Sequence, residues 1–514
     1  MKNFYLTTAI DYANGSPHIG HAYEKVLADA IVRSRRMEGI PCHFLTGLDE
    51  HGQKVQETAE RRGLAPQELC DSVALDFQNL CRRLSIGYDD YIRTTEQRHK
   101  TVVQNLLQQL HDAGEIYRAP YRGLYSTRAE RFVQEREMVN GRWPDDIGEV
   151  VEVEETNYFF RLSRHREWLI AFLEKNKNFV VPAFRQRQVL EFLREPLNDL
   201  CISRPKVRLR WGIELPFDPD YVTYVWFDAL VNYISAVGHG TEAFSQNWPA
   251  DLHVIGKDIL VPAHAVYWPI ILHAVGMELP RQILAHGWWL AKGGEKMSKS
   301  LGNAVQPLDY AELYGPDAFR YFVLREMTLG QDSNFSHELF LARYRGDLAN
   351  ELGNLLSRLV HMVHRYCGGR FPAAGAAGEE ERHLQNLAAE TVRIARGFYG
   401  NLEFSSALES IFSLLKAANR YAELRAPWKL AREEGRTSEL ARALATLGEA
   451  LRIAAGLLIP AIPTAAETIL QRIGAGPVAD WRNLAWSDAL AGAEVGDEVI
   501  LFPRVEEEDA LSPL

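Results

Sequence analysis

From Phe4 onward the chain alternates between two hydrophobic periods. Phe4 to Ile10 is rich in β-formers and reads as a buried first strand. A turn at Asn14-Gly15 follows, and Ser16-Pro17 supplies an N-cap and the first-turn proline that helix starts favour. The helix is predicted to run to about Met37 and to stop near Gly39. A second apolar strand, His43-Phe44-Leu45-Thr46-Gly47, leads into Leu48-Asp49-Glu50-His51-Gly52 and another helix. Strand, helix, strand in this order predicts a parallel sheet, with ligands at the carboxyl ends of its strands.

Between about Ile116 and Arg210 the alternation stops. Charged residues are frequent, Glu149 to Glu155 is mostly acidic, and Tyr158-Phe159-Phe160 is an aromatic patch. This is the pattern of an insertion between two halves of a sheet. The α/β rhythm resumes at His253-Val254-Ile255-Gly256-Lys257-Asp258 and reaches Ile283-Leu284-Ala285-His286-Gly287. After about Leu341 strand patterns vanish. Leu348, Leu352, Leu355, Leu359 and Met362 recur at alternating spacings of four and three, which lines one face of a helix. Similar patterns continue to Ile462, so a helical bundle is expected. Ala373 to Gly378, all Ala and Gly, reads as an exposed connection between helices. The expected fold class is α/β: a Rossmann-like parallel sheet split by a connective insertion and followed by an α-helical bundle.

Composition removes several alternatives. A chain of 514 residues, 46% hydrophobic and 24% charged, should form a soluble globular protein of several domains. No apolar run reaches the ~18 to 20 residues that a membrane crossing needs, and Asp11 cuts the N-terminal apolar stretch too early for a signal peptide. Cys42, Cys70, Cys81, Cys201 and Cys367 are scattered and never in CxxC spacing, so a reducing cytoplasm without disulfides is expected. A net charge of -11 argues against general nucleic-acid binding, whose affinity comes from Lys and Arg on phosphates. Any RNA contact should be local and shape-specific.

Two short strings carry the chemistry: His18-Ile19-Gly20-His21, and Lys296-Met297-Ser298-Lys299-Ser300. The first opens the predicted helix, where free backbone N–H groups and the helix dipole favour an anion and Gly20 admits a bulky group. The phosphates of ATP are the natural occupant. In isolation such a pair would more simply be one capping and one packed histidine; the second string tips the balance. Lys296 and Lys299 lie on a loop bracketed by Gly293-Gly294 and Gly302-Asn303, from which lysines can close on the α and β phosphates as charge develops on pyrophosphate. In-line attack of a carboxylate on the α-phosphorus, with Mg²⁺ on the leaving pyrophosphate, needs positioning and electrostatics rather than a protein nucleophile. Gly256 and Asp258, at the end of a late strand, suit ribose binding, with helix capping the alternative for Asp258.

The two strings in this order are the signature of class I aminoacyl-tRNA synthetases, and from Asn3 to Phe502-Pro503 the chain resembles the bacterial methionyl-tRNA synthetases. The likeness is carried by Asp11-Tyr12-Ala13-Asn14-Gly15, Gly47-Leu48-Asp49-Glu50-His51-Gly52, Tyr224-Val225-Trp226-Phe227-Asp228-Ala229 and Gly256-Lys257-Asp258-Ile259. It implies that methionine is activated with ATP and passed to the 3′ end of tRNA(Met), initiator and elongator, by attack of a ribose 2′-hydroxyl. It implies an ATP site of His18, Gly20, His21, Gly256, Asp258, Lys296 and Lys299, of which His18, His21, Lys296 and Lys299 are catalytic. It implies a methionine pocket of Ile10, Tyr12, Asp49, Trp226, Ala229, Tyr233, Ile259 and His264, with Asp49 on the substrate ammonium and aromatics around the polarisable thioether. The family pattern after GKDI is two residues, Phe or Pro, then His; here Val261-Pro262-Ala263 delays the histidine by one.

The same resemblance divides the chain into residues 1–115 and 211–325 as catalytic halves, 116–210 as the insertion, 326–345 as a stem-contact linker and 346–514 as the anticodon-binding domain. Asn354, Arg358 and Trp428 match the family's readers of the CAU anticodon; a helix-face Asn/Arg pair and a core Trp are the bland alternative. The insertion is too small for the editing domain of the leucyl, isoleucyl and valyl enzymes. Where relatives carry a zinc knuckle this chain has Ser126, Ala129, Trp143 and Asp146, which form no thiolate site, so no zinc is expected. Contacts from Trp143, Phe132 and Tyr125 and an Arg131–Glu135 helix pair would stand in. With no C-terminal dimerisation extension, a monomer is expected. Two other functions fit part of the pattern: a small-molecule adenylyl or pantothenate-type transferase, which would lack the helical tail, and a decayed synthetase kept as a tRNA-binding scaffold, against which the intact His18, His21, Asp49, Lys296 and Lys299 speak.

Overall fold

The computed structural model describes residues 2–126, 131–133, 138, 141–145, 147–297 and 305–503. The chain divides into two compact units, one of Met1–Ser16, His43–Gln78 and Tyr88–Ala285, the other of Pro17–Cys42, Asn79–Gly87 and His286–Leu514. The first unit is built on a seven-stranded sheet. Its spatial order is Asp11–Tyr12, Cys42–Asp49, Phe4–Thr8, Leu252–Gly256, Ile283–His286 and Val180–Val181, with Asp90–Arg93 also paired to Cys42–Asp49. Leu6 to Thr8 run parallel to Leu252 to Val254, so the first and last stretches of α/β rhythm meet at the middle of one sheet. Tyr5, Leu6, Phe44, Leu45, Val254 and Ile255 are all buried, as expected of parallel strands covered on both faces. The α/β class read from the sequence is the one observed.

The insertion forms an antiparallel four-stranded sheet in the order Arg131–Val133, Ile116–Ser126, Val150–Phe160, Leu200–Cys201. Ile116 pairs with Phe160 and Ser126 with Val150, so the two long strands match over their full length. The stretch 116–210 is nevertheless not wholly apart from the main sheet. Val180 and Val181 return to it and pair in parallel with Ile283 and Leu284, a two-residue strand too short to register as a period.

The second unit is helical apart from short strands. Leu348, Leu352, Leu355, Leu359 and Met362 are all buried, so the four-and-three stripe does face a core. Helix Thr437–Leu458 is buried without a gap from Ala443 to Leu458, the pattern of a central helix. Helices Glu379–Gly400, Phe404–Arg425 and Pro463–Arg472 pack around it. Arg320, in helix Pro316–Glu326 and with no exposed surface, ties the unit together. Its guanidinium pairs with Asp29 at 2.6 Å and donates to the carbonyls of Leu84, Pro460 and Ala461 at 3.1, 2.8 and 2.9 Å.

Candidate active site

In the first unit Tyr12 stands beside Asp49 in the parallel ladder, and the Ala13 N–H donates to the Asp49 carbonyl at 2.9 Å. On the opposite edge of the same strand Gly47 lets Ile92 come close: a Cβ there would lie 2.1 Å from the Ile92 carbonyl oxygen and 3.0 Å from Ile10 Cγ2. The strand exit that carries Asp49 is held from both sides. Glu50 accepts from Arg93 Nε at 2.5 Å and from the Thr95 hydroxyl. His51 Nδ1–H donates to Asp228 Oδ2 at 2.6 Å, and His99 Nε2–H donates to Asp228 Oδ1 at 2.6 Å. Burial pushes the Asp228 pKa up, but the two histidines outweigh it and hold the group below the usual carboxylate range. On its other side His99 Nδ1 lies 2.8 Å from the Ser235 hydroxyl.

Asp228 lies between Trp226 and Ala229 on helix Val225–Leu230, so this chain of bonds fixes that helix against the exit of the Asp49 strand. On the other side of Trp226, His264 is buried with its ring at 6.2 Å and 88° to the indole. Its Nδ1 lies 2.9 Å from the Ile259 carbonyl oxygen and its Nε2 2.7 Å from the Tyr233 hydroxyl. Since a carbonyl only accepts, Nδ1 carries the proton and Nε2 accepts from Tyr233. Three residues before His264, Val261 is extended at φ -117°, ψ 125° inside an otherwise helical stretch. Ile10, Tyr12, Trp226 and Ile259 edge the core cluster that contains Tyr233, and Ala229 is buried nearby on its helix. Gly256 is buried at its strand end, and Asp258 is exposed in the turn that follows.

The second unit holds the other residues singled out from sequence. The helix starts later than Ser16-Pro17 suggests, at Ile19, because His18 itself caps it. His18 Nδ1 accepts the Gly20 N–H at 3.1 Å, His21 Nδ1 accepts the His18 N–H at 3.2 Å, and the rings stack at 3.7 Å and 19°. In the neutral form both rings therefore carry their proton on Nε2. Gly20 makes room for the fold-over, since a Cβ there would stand 2.9 Å from His18 Cε1. From this helix Tyr23 packs edge-on to His286 and Trp289 at 5.2 and 6.2 Å, and Glu24 pairs with His286 at 3.2 Å. Those contacts bring the helix to the base of the lysine loop. There Gly293 and Gly294 turn the chain at positive φ, Lys296 bridges to Leu290, and its ammonium sits 4.5 Å from the Trp288 ring centroid. Lys299 lies outside the described residues.

Arg358 lies 5.1 Å over the Trp428 ring and pairs with Glu423 at 2.8 Å; Asn354 is exposed one turn before it on the same helix. In the insertion Ser126 is buried and its hydroxyl donates to the Ile147 carbonyl. Tyr125 is buried under the Arg208 guanidinium, 3.9 Å from its ring, and Trp143 is half-buried. Arg131, expected to open a helix pair with Glu135, belongs to a strand paired with Leu124 to Ser126; Glu135, like Ala129 and Asp146, lies outside the described residues. Among the described residues no group of three or more His, Cys, Asp or Glu is placed to hold a metal ion, and no helix is long and apolar enough to cross a membrane. His99 was not singled out from the sequence, and Asp228 was quoted within a motif without a role. A carboxylate in the aromatic stretch Tyr224 to Phe227 signals a buried partner, but nothing in the sequence points to His99.

Class I tRNA synthetases are the class that this sheet, its split and its two motif-bearing elements define. A family model described as tRNA synthetases class I (M) matches residues 4–147 and 145–360, and one described as the anticodon binding domain of methionyl tRNA ligase matches 371–511. The chain is 43% identical to the methionine–tRNA ligase of Deinococcus radiodurans over 98% of its own length and 75% of that protein. It is 40% identical to that of Bacillus subtilis over 99% and 79%. The solved Mycobacterium tuberculosis methionyl-tRNA synthetase in complex with methionyl-adenylate superposes with a TM-score of 0.93 at 40% identity, covering 98% of this chain and all of that one. The chain belongs to the methionyl-tRNA synthetase family.

Proposed function

We propose that the chain activates L-methionine with ATP and transfers the methionyl group from the adenylate to the 3′ end of tRNA(Met), initiator and elongator. The observation that carries the reading is the pair of walls in the first unit: Trp226, Tyr233, His264 and Ile259 on one side, Tyr12 and Asp49 on the other, joined by the His51–Asp228–His99 bonds. Asp49 would take the substrate ammonium, and Ile10, Tyr12, Trp226, Ala229, Tyr233, Ile259 and His264 would enclose the thioether. His18 and His21 would present Nε2–H donors, and the Gly20 region a close approach, to ATP phosphates; Gly256 and Asp258 would meet the ribose. Lys296 and Lys299 would swing onto the phosphates as pyrophosphate departs. Mg²⁺ would enter with the nucleotide. Asn354, Arg358 and Trp428 would read the anticodon by stacking and edge contacts, and the protein would act as a cytoplasmic monomer. Methionine-dependent ATP–pyrophosphate exchange together with charging of tRNA(Met) tests the reading; exchange with a different amino acid, or none, would overturn it.

Three expected results follow from these roles. Lys299→Ala should slow adenylate formation by about 10²-fold with little change in methionine affinity, because the lysine meets charge that develops only in the transition state. Equal losses in rate and affinity would contradict it. Trp428→Ala should impair tRNA charging and spare pyrophosphate exchange, because the ring belongs to the RNA reader; parallel loss of both would make Trp428 a folding residue. Elemental analysis should find no stoichiometric zinc, since Ser126 and Trp143 are not zinc ligands and a lone carboxylate cannot complete a tetrahedral site. Tightly held zinc would show that other residues serve.

A further inference from the structure

His99 is contributed by helix Gln97–Asp112, whose other buried residues, Val102, Val103, Leu106, Leu107 and Leu110, are all aliphatic. A histidine on such a face is most simply a packed core residue, but this one meets a polar group on each side. It has no exposed surface. Its Nε2–H donates to Asp228 Oδ1 at 2.6 Å, and its Nδ1 lies 2.8 Å from the Ser235 hydroxyl. Asp228 stands two residues beyond Trp226 on helix Val225–Leu230, and Ser235 two residues beyond Tyr233 on helix Asn232–Ser235. One imidazole therefore spans the two short helices that carry two aromatic walls of the proposed methionine pocket.

Helices of six and four residues have few internal hydrogen bonds and take their position from tertiary contacts. Val231 joins them, and Asn232 Nδ2–H ties back to the Ala229 carbonyl at 2.6 Å. His99 adds a tie from a separate helix, through a flat ring whose two nitrogens stand at a fixed separation. Asp228 is held in turn by His51, so the Trp226 side is anchored at both carboxylate oxygens. Tyr233 has other supports: the Tyr5 hydroxyl donates to its carbonyl at 2.8 Å, and its own hydroxyl donates to His264 Nε2 at 2.7 Å. Loss of the His99 tie would loosen the spacing of the two walls without releasing either. We propose that His99 is a positioning residue that sets the spacing of Trp226 and Tyr233, and with it the length of side chain the pocket accepts; this rests on the methionine-activating function proposed above. His99 acts through Asp228 and Ser235 rather than on the substrate.

The test is pyrophosphate exchange by the full chain with methionine, with ethionine, which is one methylene longer, and with norleucine, which has methionine's length and a methylene for the sulfur. The wild type should prefer methionine over ethionine by about 10- to 200-fold in kcat/KM, the worth of a methylene in a fitted apolar pocket. His99→Asn places an amide near the Nδ1 position, keeping Ser235 and abandoning Asp228. It should cut that preference by about fivefold or more, while the preference over norleucine and the KM for ATP stay within about twofold. His99→Gln, whose amide reaches the Nε2 position and leaves Ser235, and Ser235→Ala, which removes one hydroxyl, should each cut it by about twofold or more. A ratio of two substrates on one sample does not depend on how much of the chain is folded, so a merely structural role would leave it unmoved. The role is overturned if the ratio keeps its wild-type value in His99→Asn or, should that variant not fold, in His99→Gln and Ser235→Ala. It is overturned equally if the norleucine ratio moves as far as the ethionine ratio. A wild type without methionine-dependent exchange would overturn the function and this role with it; wild-type exchange with unmoved ratios overturns the role alone.

Discussion

Asp49→Asn is expected to lower kcat/KM for methionine by about 10³-fold in the pyrophosphate exchange assay, with KM for ATP within about twofold of the wild type. The strand exit that carries Asp49 is buried, so an ammonium arriving there loses its hydration and needs a full counter-charge. Removing one member of a desolvated charge pair costs about 2–5 kcal/mol, and about 4 kcal/mol corresponds to 10³ in rate. Asparagine keeps the shape of the side chain and the ladder to Tyr12, so the loss reports charge rather than collapse. A loss below about tenfold would remove Asp49 from contact with the ammonium. The companion variant Asp228→Asn separates the site from its frame. An amide cannot accept from both His51 and His99 without turning an N–H against one of them.

Arg320→Met should cost about 3–5 kcal/mol of stability, the range for breaking a buried ion pair by removing one partner. The substitution would strand Asp29 and three backbone carbonyls. Asp29 retains Arg33 at 2.8 Å and the Gly87 N–H at 2.9 Å, which limits the damage to the middle of that range. In thermal unfolding the melting temperature should fall by several degrees, and Arg320→Lys should recover only part of it, because an ammonium cannot reach in four directions from one planar fork. Wild-type stability in Arg320→Met would contradict the anchoring role. Asp317 supplies a separate pH signature in the same helix. Burial raises its pKa to about 6, against the lowering effect of Arg320 and the Ala465 N–H. Its contribution to stability is therefore fully present below the ordinary carboxylate pKa and is lost as pH rises through about 6.

Features with a long period were legible in the sequence. The buried strands, the leucine stripe from Leu348 to Met362 and the two glycine-flanked motifs repeat or cluster over enough residues for their spacing to carry information. Relations made by a single side chain across the fold were not. Arg320 reads as one more charge on an amphipathic helix, and His99 as a polar residue in helix Gln97–Asp112; only the folded chain brings them to Asp29 and Asp228. The helix start was misplaced by local chemistry, since Ser16-Pro17 is the better cap on propensity but His18 takes the role with His21 completing it. At His264 the family spacing is offset by one residue; in the fold an extended Val261 precedes it and its ring meets the Tyr233 hydroxyl, a relation no spacing could show.

The return of Val180 and Val181 to the main sheet sets a limit on how this protein could be shortened. Were residues 116 to 210 cut away as a cassette, the backbone of Ile283 and Leu284 would lose its partner, and the parallel sheet would acquire a bare apolar edge of the kind that recruits foreign strands. The hairpin Ile116–Ser126 with Val150–Phe160 is a different matter, since its long pairing is made with itself. Trimming there removes partners together. A lineage under pressure for a smaller enzyme would thus find its deletions at the tip of that hairpin, beside Ser126, and keep the segment that seals the sheet.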